Sequence, residues 1–297
     1  MAIIKWKGYF EAAASTIFFV LALTLALSLP GFISTTSPAE AAANEVEWSR
    51  VNIPSGGEAG DWVLATDSDV RHLAMAKDGT LYAYANPSAT SYTLFKSVDA
   101  GYSWSYTGDV KDTIVDIATA PDDAGIIYYA SASSVYKSSD AGKNFIQLPP
   151  NPGGAGTANI TITCINVVRL DGNSIIAVGT VDSDNTQYGG VYTLEENKLL
   201  PDWADTSVGN YDISAVAFSP NFTADRQLVA VVTDEQDTLV TSRIGESDWN
   251  QVIVDATIEG LVPISAAIAF TDDYNLSGGD YILFVAIDTG SGDGDVY

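Results

Sequence analysis

The chain has 297 residues and a formal net charge of −25, from 13 Lys and Arg against 38 Asp and Glu. Such an acidic surface repels nucleic acid and anionic lipid, because phosphate contacts need clustered Lys and Arg. It favours cations or basic partners instead. Hydrophobic residues make up 46% and charged residues only 17%, which allows a sizeable core and is typical of turn-rich β structure.

Residues 1–43 are predicted to form an N-terminal signal helix and export segment. A basic start precedes the apolar run Ile17–Leu29, and the small-residue stretch Pro38–Ala43 fits a cleavage site. The run is shorter than the roughly 20 residues of a membrane-spanning helix. An uncleaved anchor stays open as the alternative and would then be the chain's membrane contact. We therefore expect a secreted or cell-surface (envelope) protein.

The single cysteine, Cys164, excludes an intrachain disulfide. It lies in an apolar alternating run, which favours a buried hydrophobic role. The only histidine is His72, so the sequence offers little support for a cysteine–histidine nucleophile. An exported chain without disulfides is typical of a prokaryotic surface.

The body of the chain is a repeat of short strands separated by Gly, Asp, Asn and Pro. One apolar strand recurs, and its equivalent positions are separated by 44, 48, 51 and 52 residues: Leu73, Ile117, Ile165, Val216 and Ile268. Further strands follow the recurring one in each unit. A period of this length with four strands per unit predicts an all-β fold, a β-propeller of four-stranded blades.

The propeller is predicted to occupy residues 44–297. Its blades are expected at about 68–109, 110–151, 159–207, 211–255 and, in part, 262–297. Residues 46–53 resemble a fourth strand and are predicted to close the ring. Two alternatives remain: a five-blade ring closed by that strand, or a larger ring that is incomplete at the C-terminus. We favour the larger ring because the sequence stops within a blade.

A turn motif recurs after the third strand of a blade. Ser97–Trp104 matches the pattern S-x-D-x-G-x-[ST]-W, Ser138–Phe145 matches it with Asn144 and a final Phe, and Ser242–Trp249 is a worn copy. In such a turn the Asp accepts backbone N–H groups, the Gly adopts a positive φ and the aromatic residue packs in the core. The residues predicted to have this structural role are Ser97, Asp99, Gly101, Trp104, Ser138, Asp140, Gly142 and Phe145.

On these two turns the chain resembles the Asp-box (BNR-repeat) β-propeller superfamily. That superfamily includes sialidases, xyloglucanase-type glycosidases, the sortilin ectodomain and photosystem II assembly factor-like proteins. The resemblance covers residues 46–297 as architecture. The segment Phe218–Arg226 also resembles the FSPNF-type turns of bacterial surface propellers. The resemblance implies a propeller that either hydrolyses glycosides or binds a partner without catalysis.

No catalytic residue is predicted. A sialidase needs three arginines, and Arg71 is the only arginine well placed for a central pocket. A glycosidase needs two carboxylates that flank the sugar. Because the chain has 38 Asp and Glu, pairs of acids are unavoidable and do not by themselves indicate a glycosidase site. Asp69, Arg71 and Asp116 are kept as weak channel candidates because they lie on predicted innermost strands.

The sequence indicates no cofactor. A zinc site is excluded by the single His and single Cys. Asp288, Asp293 and Asp295 are weak Ca²⁺ candidates, since Ca²⁺ takes oxygen ligands from flexible loops, but they do not match the EF-hand pattern.

The sequence therefore predicts an exported, non-catalytic propeller that binds protein or glycan at the cell surface or has a structural role there. Two alternatives stay open. One is a glycoside hydrolase of the sialidase or xyloglucanase type. The other is an assembly or stability factor for a membrane complex.

Overall fold

The computed structural model describes residues 67–157, 159–249, 256–279, 282–290 and 295–296. The predicted export segment 1–43 and the predicted closing strand 46–53 lie outside them. The described chain is nearly all-β. Its helical elements are a single short helix, α1 (Phe222–Asp225), and two 3-10 turns, Pro87–Ala89 and Pro152–Gly154. Within the described ranges, no helix has the length and apolar character needed to cross a membrane.

The strands of the described residues form five sheets. The first sheet contains β1 (Asp69–Met75), β2 (Leu81–Asn86), β3 (Thr93–Ser97) and β4 (Ser105–Gly108). The second contains β5 (Asp116–Thr119), β6 (Ile127–Ala130), β7 (Val135–Ser138) and β8 (Ile146–Gln147). The third contains β9 (Ile160–Leu170), β10 (Asn173–Asp182), β11 (Gly190–Glu195) and β12 (Ala204–Asp205). The fourth contains β13 (Asp212–Phe218), β14 (Gln227–Thr233), β15 (Thr238–Ile244) and β16 (Ala256–Ile258). The fifth contains β17 (Ser265–Phe270), β18 (Leu283–Asp288) and β19 (Asp295–Val296).

Each sheet is a meander, in which every strand pairs antiparallel with the next strand of the chain. The second strands show most clearly how the sheets are covered. Every residue of β6 and β14 is buried, because a neighbouring sheet lies against each face. A strand covered on both faces carries apolar residues at successive positions instead of alternating with polar ones, as the sequence of Val229–Val232 does.

Consecutive sheets meet along their first strands. β1 contacts β5, β5 contacts β9, β9 contacts β13, and β13 contacts β17. Hydrogen bonds cross these junctions: the Thr119 hydroxyl donates to the carbonyl of Met75 at 2.8 Å, and the Thr163 hydroxyl donates to that of Ile213 at 2.6 Å. Apolar clusters fill the spaces between successive sheets. A series of four-stranded meanders whose first strands adjoin is the arrangement expected of a β-propeller.

Three of the first strands, β1, β9 and β13, carry a β-bulge at the same place. The residue without a cross-strand partner is Arg71, Thr163 or Ser214, and the bulge re-aims its side chain. Counted from the bulge, Leu73 and Ile165 are equivalent. Leu73 is nevertheless 58% exposed and Ile165 only 3%, because the second sheet covers Ile165 whereas no described sheet covers that face of β1.

Candidate functional site

The turn Ser97–Trp104 is closed by one carboxylate. The Ser97 hydroxyl donates to Asp99 Oδ1 at 2.7 Å and accepts the backbone N–H of Gly101 at 2.8 Å. Asp99 also accepts the backbone N–H of Ser103 at 2.8 Å and its hydroxyl at 2.5 Å. Gly101 has a φ of 89°, which glycine adopts without strain.

The turn Ser138–Phe145 repeats these bonds. Asp140 accepts the Ser138 hydroxyl at 2.8 Å, the backbone N–H of Asn144 at 2.9 Å and the Asn144 side-chain amide at 2.7 Å. The Asn144 amide therefore takes the place of the Ser103 hydroxyl, and the side-chain hydrogen bond to the Asp is present in both turns. The side chain of Asn144, and then its backbone N–H, lower the pKa of Asp140 to about 2. The side chain and backbone N–H of Ser103 lower the pKa of Asp99 to about 2 in the same way.

The aromatic residues at the ends of these turns lie differently. Phe145 is buried, with its ring edge against Tyr129 at 4.8 Å between ring centroids. Trp104 is partly buried and donates its indole N–H to the carbonyl of Gly101 at 3.0 Å.

The Asp99 and Asp140 carboxylates are poor proton donors near neutral pH because their pKa values are low, and both already accept several hydrogen bonds within their turns.

The worn copy of the turn has lost its carboxylate. Ile244 stands where Asp99 and Asp140 stand in the other two turns. Ser242 keeps its place and is fully buried, but its hydroxyl has no hydrogen-bond partner among the described residues. The serine therefore persists without the group that it binds in the intact turns.

Ser97→Ala is expected to lower the free energy of unfolding by about 1 to 3 kcal/mol, because the buried N–H of Gly101 would lose its acceptor. Ser242→Ala deletes the same atom at the matching position of the fourth sheet. We expect that substitution to be neutral or stabilising, since it removes a buried hydroxyl that has no partner. Urea unfolding of both variants beside the wild type measures the difference. Equal losses would show that the serine hydroxyl is not what holds the intact turns.

Two of the three channel candidates lie together at the start of β1, with a residue that the sequence did not single out. The Tyr92 hydroxyl donates to Asp69 Oδ2 at 2.5 Å, and Arg71 Nε lies 3.7 Å from the same oxygen. The Arg71 guanidinium carbon is 4.1 Å from the centroid of the Tyr92 ring. The Asp69 and Arg71 side chains are 56% and 51% exposed. We call Asp69, Arg71 and Tyr92 the β1 cluster.

The β1 cluster has a rigid support. The Tyr92 ring packs on the buried Tyr84 ring at 5.3 Å between centroids, and the His72 ring stacks on Tyr84 at 6.2 Å between centroids. Burial and the Arg71 charge lower the pKa of His72, so its imidazole is neutral near pH 7. The hydrogen bond to Asp69 raises the pKa of Tyr92, which keeps the phenol protonated.

The third candidate, Asp116, has a different role. Its carboxylate accepts the backbone N–H of Ile117 at 2.8 Å and, from the next sheet, the N–H of Ile165 at 2.8 Å. Burial raises the pKa of Asp116 to about 6. Asp116 therefore joins the second sheet to the third, and it makes no hydrogen bond or ion pair with the β1 cluster among the described residues.

Asp212 joins the third and fourth sheets in a similar way. It is buried and accepts the backbone N–H groups of Asp182 at 2.9 Å and Gly189 at 2.8 Å. The sequence analysis did not single it out, although it occupies the same place before the bulge as Asp69. The repeat itself was the signal that could have found it.

The Ca²⁺ candidates fall mostly outside the described chain. Asp293 is not among the described residues, and for Asp295 the structure describes the strand but not the side chain. Asp288 is exposed and accepts the backbone N–H of Gly290 at 2.8 Å. Within the described ranges no group of three or more His, Cys, Asp or Glu side chains is placed to hold a metal ion.

No protein-family model and no curated protein matches the chain. Among solved structures, it is similar to an α-L-arabinanase of Penicillium chrysogenum complexed with arabinobiose, at 15% identity and a TM-score of 0.47 over 76% of this chain and 78% of that one. It is similar to a GH74 enzyme of Niastella koreensis, at 18% identity and a TM-score of 0.48 over 75% of this chain and 37% of that one. A nidogen/laminin complex gives 14% identity and a TM-score of 0.47 over 77% and 79% of the two chains.

All the TM-scores given lie below 0.5, so the ligand of this chain has to be inferred from its own side chains.

Proposed function

We propose that the chain is an exported β-propeller that binds glycan at the cell surface through the β1 cluster. The observation that carries this proposal is the contact of an exposed carboxylate, an exposed guanidinium and a tyrosine ring. A sugar ring presents an apolar face of C–H groups and an edge of hydroxyls. The Tyr92 ring suits the face, while Asp69 accepts from hydroxyls and Arg71 donates to them.

Rigidity supports the same reading. Tyr92 contacts the buried Tyr84 ring at 5.3 Å between centroids and the Arg71 guanidinium carbon at 4.1 Å from its own centroid. A binding group that is already ordered loses less conformational entropy when the ligand arrives. The net charge of −25 favours a neutral glycan over a polyanion at this site.

The test measures binding of the exported domain to arabinobiose and xyloglucan, using Tyr92→Ala and Asp69→Asn. We expect each substitution to weaken binding by about ten-fold or more, as the loss of one good contact does. Tyr102→Ala is the matched control, because Tyr102 is a tyrosine with 73% exposure outside the cluster. Unchanged binding in Tyr92→Ala, or an equal loss in Tyr102→Ala, would refute the assignment to this cluster.

Glycoside hydrolysis is the second candidate, and the observation that favours it is the exposed Asp69 carboxylate with its tyrosine partner. A hydrolase needs two carboxyl groups, and Asp116 is engaged by two backbone N–H groups. Release of reducing sugar from the same two glycans decides between the two functions. Hydrolysis that disappears in Asp69→Asn would refute the binding proposal in favour of glycoside hydrolysis. Binding without hydrolysis would favour the binding proposal. Co-purification of a membrane complex with the tagged protein would instead support the assembly-factor alternative.

A further inference from the structure

A groove of about 390 Å³ lies between the third and fourth sheets, away from the β1 cluster. Its size is within the range of small-molecule sites. Phe218, Phe222 and Leu228 supply apolar wall, and Arg226 and Arg243 line it as well. The groove is bounded by the third and fourth sheets. Each of these two sheets packs against a described sheet on both faces.

The segment Phe218–Arg226 builds one wall. Asp225 is buried, and its carboxylate accepts the Ser219 hydroxyl at 2.6 Å and the backbone N–H of Gln227 at 3.0 Å. These bonds hold α1 and turn the Asp225 carboxylate inward. Arg226 follows in the left-handed conformation, with a φ of 56°, which is uncommon for a residue other than glycine.

Arg226 lines the groove. Its guanidinium carbon lies 5.8 Å from the centroid of the Phe222 ring. No described acid lies within ion-pair distance of it, although Asp225 is its neighbour in the chain. A cation over an aromatic ring keeps most of its donors available for an anion.

Arg243 approaches the groove from β15. Its Nε donates to the carbonyl of Gly245 at 2.9 Å and one Nη to that of Thr206 at 3.1 Å. Both acceptors are neutral carbonyls, which orient the guanidinium. Burial lowers the pKa of Arg243, and the charges of Glu246 and Asp248 oppose that shift in part. Arg243 makes no ion pair with any described residue.

The other charges of the groove are paired or turned to solvent. Lys198 pairs with Glu195 at 3.1 Å, while Asp205 and Glu246 are exposed at the groove. The chain has 38 acids for 13 basic residues, so an arginine without an ion pair is unexpected, and here two line one groove. A guanidinium without an ion pair is suited to a carboxylate, which accepts two of its N–H groups side by side.

We infer that this groove binds a small organic acid, with the carboxylate against Arg226 and Arg243 and an apolar body against Phe218, Phe222 and Leu228. The site is separate from the glycan-binding proposal and does not depend on it. An amide of the same shape offers one carbonyl oxygen and no negative charge, so it would bind less well.

Phenylacetate is a suitable probe, and phenylacetamide is its neutral counterpart of nearly the same shape. Calorimetric or NMR titration of the full chain should show saturable binding of phenylacetate and about ten-fold weaker binding of the amide. Arg226→Gly removes the guanidinium while suiting the left-handed backbone, so the fold should be kept. We expect it to weaken phenylacetate binding by about ten-fold.

Lys143→Gln is the matched control, because it changes the net charge equally at an exposed position outside the groove. It should leave the affinity unchanged. Arg243→Lys keeps the charge but loses the planar fork, so we expect an intermediate loss. Equal binding of acid and amide, no saturable binding at millimolar phenylacetate, or full affinity in Arg226→Gly would each overturn the inference.

Discussion

Glu196→Gln is expected to lower the free energy of unfolding by about 3 kcal/mol, because it leaves the ammonium of Lys137 without its counter-charge. Lys137 Nζ lies 2.7 Å from Glu196 Oε2, and the two side chains are only 16% and 18% exposed. The Tyr128 hydroxyl donates to the same carboxylate oxygen at 2.9 Å. Lys137 and Tyr128 belong to the second sheet, and Glu196 follows β11 of the third, so the pair couples two sheets.

Guanidinium chloride unfolding of Glu196→Gln, Lys137→Met and the double variant measures this coupling. The double variant should be more stable than Glu196→Gln alone, because no uncompensated charge remains. Glu195→Gln is the matched control: its pair with Lys198 is 43% and 54% exposed, and such pairs contribute about 0 to 1 kcal/mol. Similar losses for positions 195 and 196 would contradict the prediction.

Asp116→Asn is expected to change how stability depends on pH. Burial raises the pKa of Asp116 to about 6 in the folded chain, from about 4 in the unfolded chain. The folded state therefore binds this proton more tightly. The contribution of protonated Asp116 to the free energy of unfolding is complete below about pH 4 and is lost as the pH rises through about 6. The loss amounts to roughly 2 to 3 kcal/mol.

The measurement is the free energy of unfolding of wild type and Asp116→Asn from acidic to neutral pH. The difference between the two proteins isolates Asp116 from the many other acids of the chain. We expect the wild type to lose stability relative to the variant between about pH 4 and 7. A constant difference over this range would mean that the carboxyl group titrates normally and that its burial does not matter.

The repeat of strands could be predicted from the sequence because it is a local property. Apolar runs such as Val229–Val232 and the turns between them depend on residues close in the chain. The turns Ser97–Trp104 and Ser138–Phe145 are local too, since each Asp binds groups no more than four residues away. Even the change from Ser103 to Asn144 could be understood from donor chemistry alone.

Contacts between sheets were decided by the tertiary structure. Asp69 and Asp116 looked alike as channel acids in the sequence, yet one is exposed beside Tyr92 and the other bonds to Ile165 of the next sheet. Nothing near Asp116 in the chain indicates this, because Ile165 is 49 residues away. Likewise, Arg226 and Arg243 share a groove only because β14 and β15 place α1 beside the turn after β15. The chain by itself determined the units of the fold, whereas packing between units decided which charges are buried, paired or left open to a ligand.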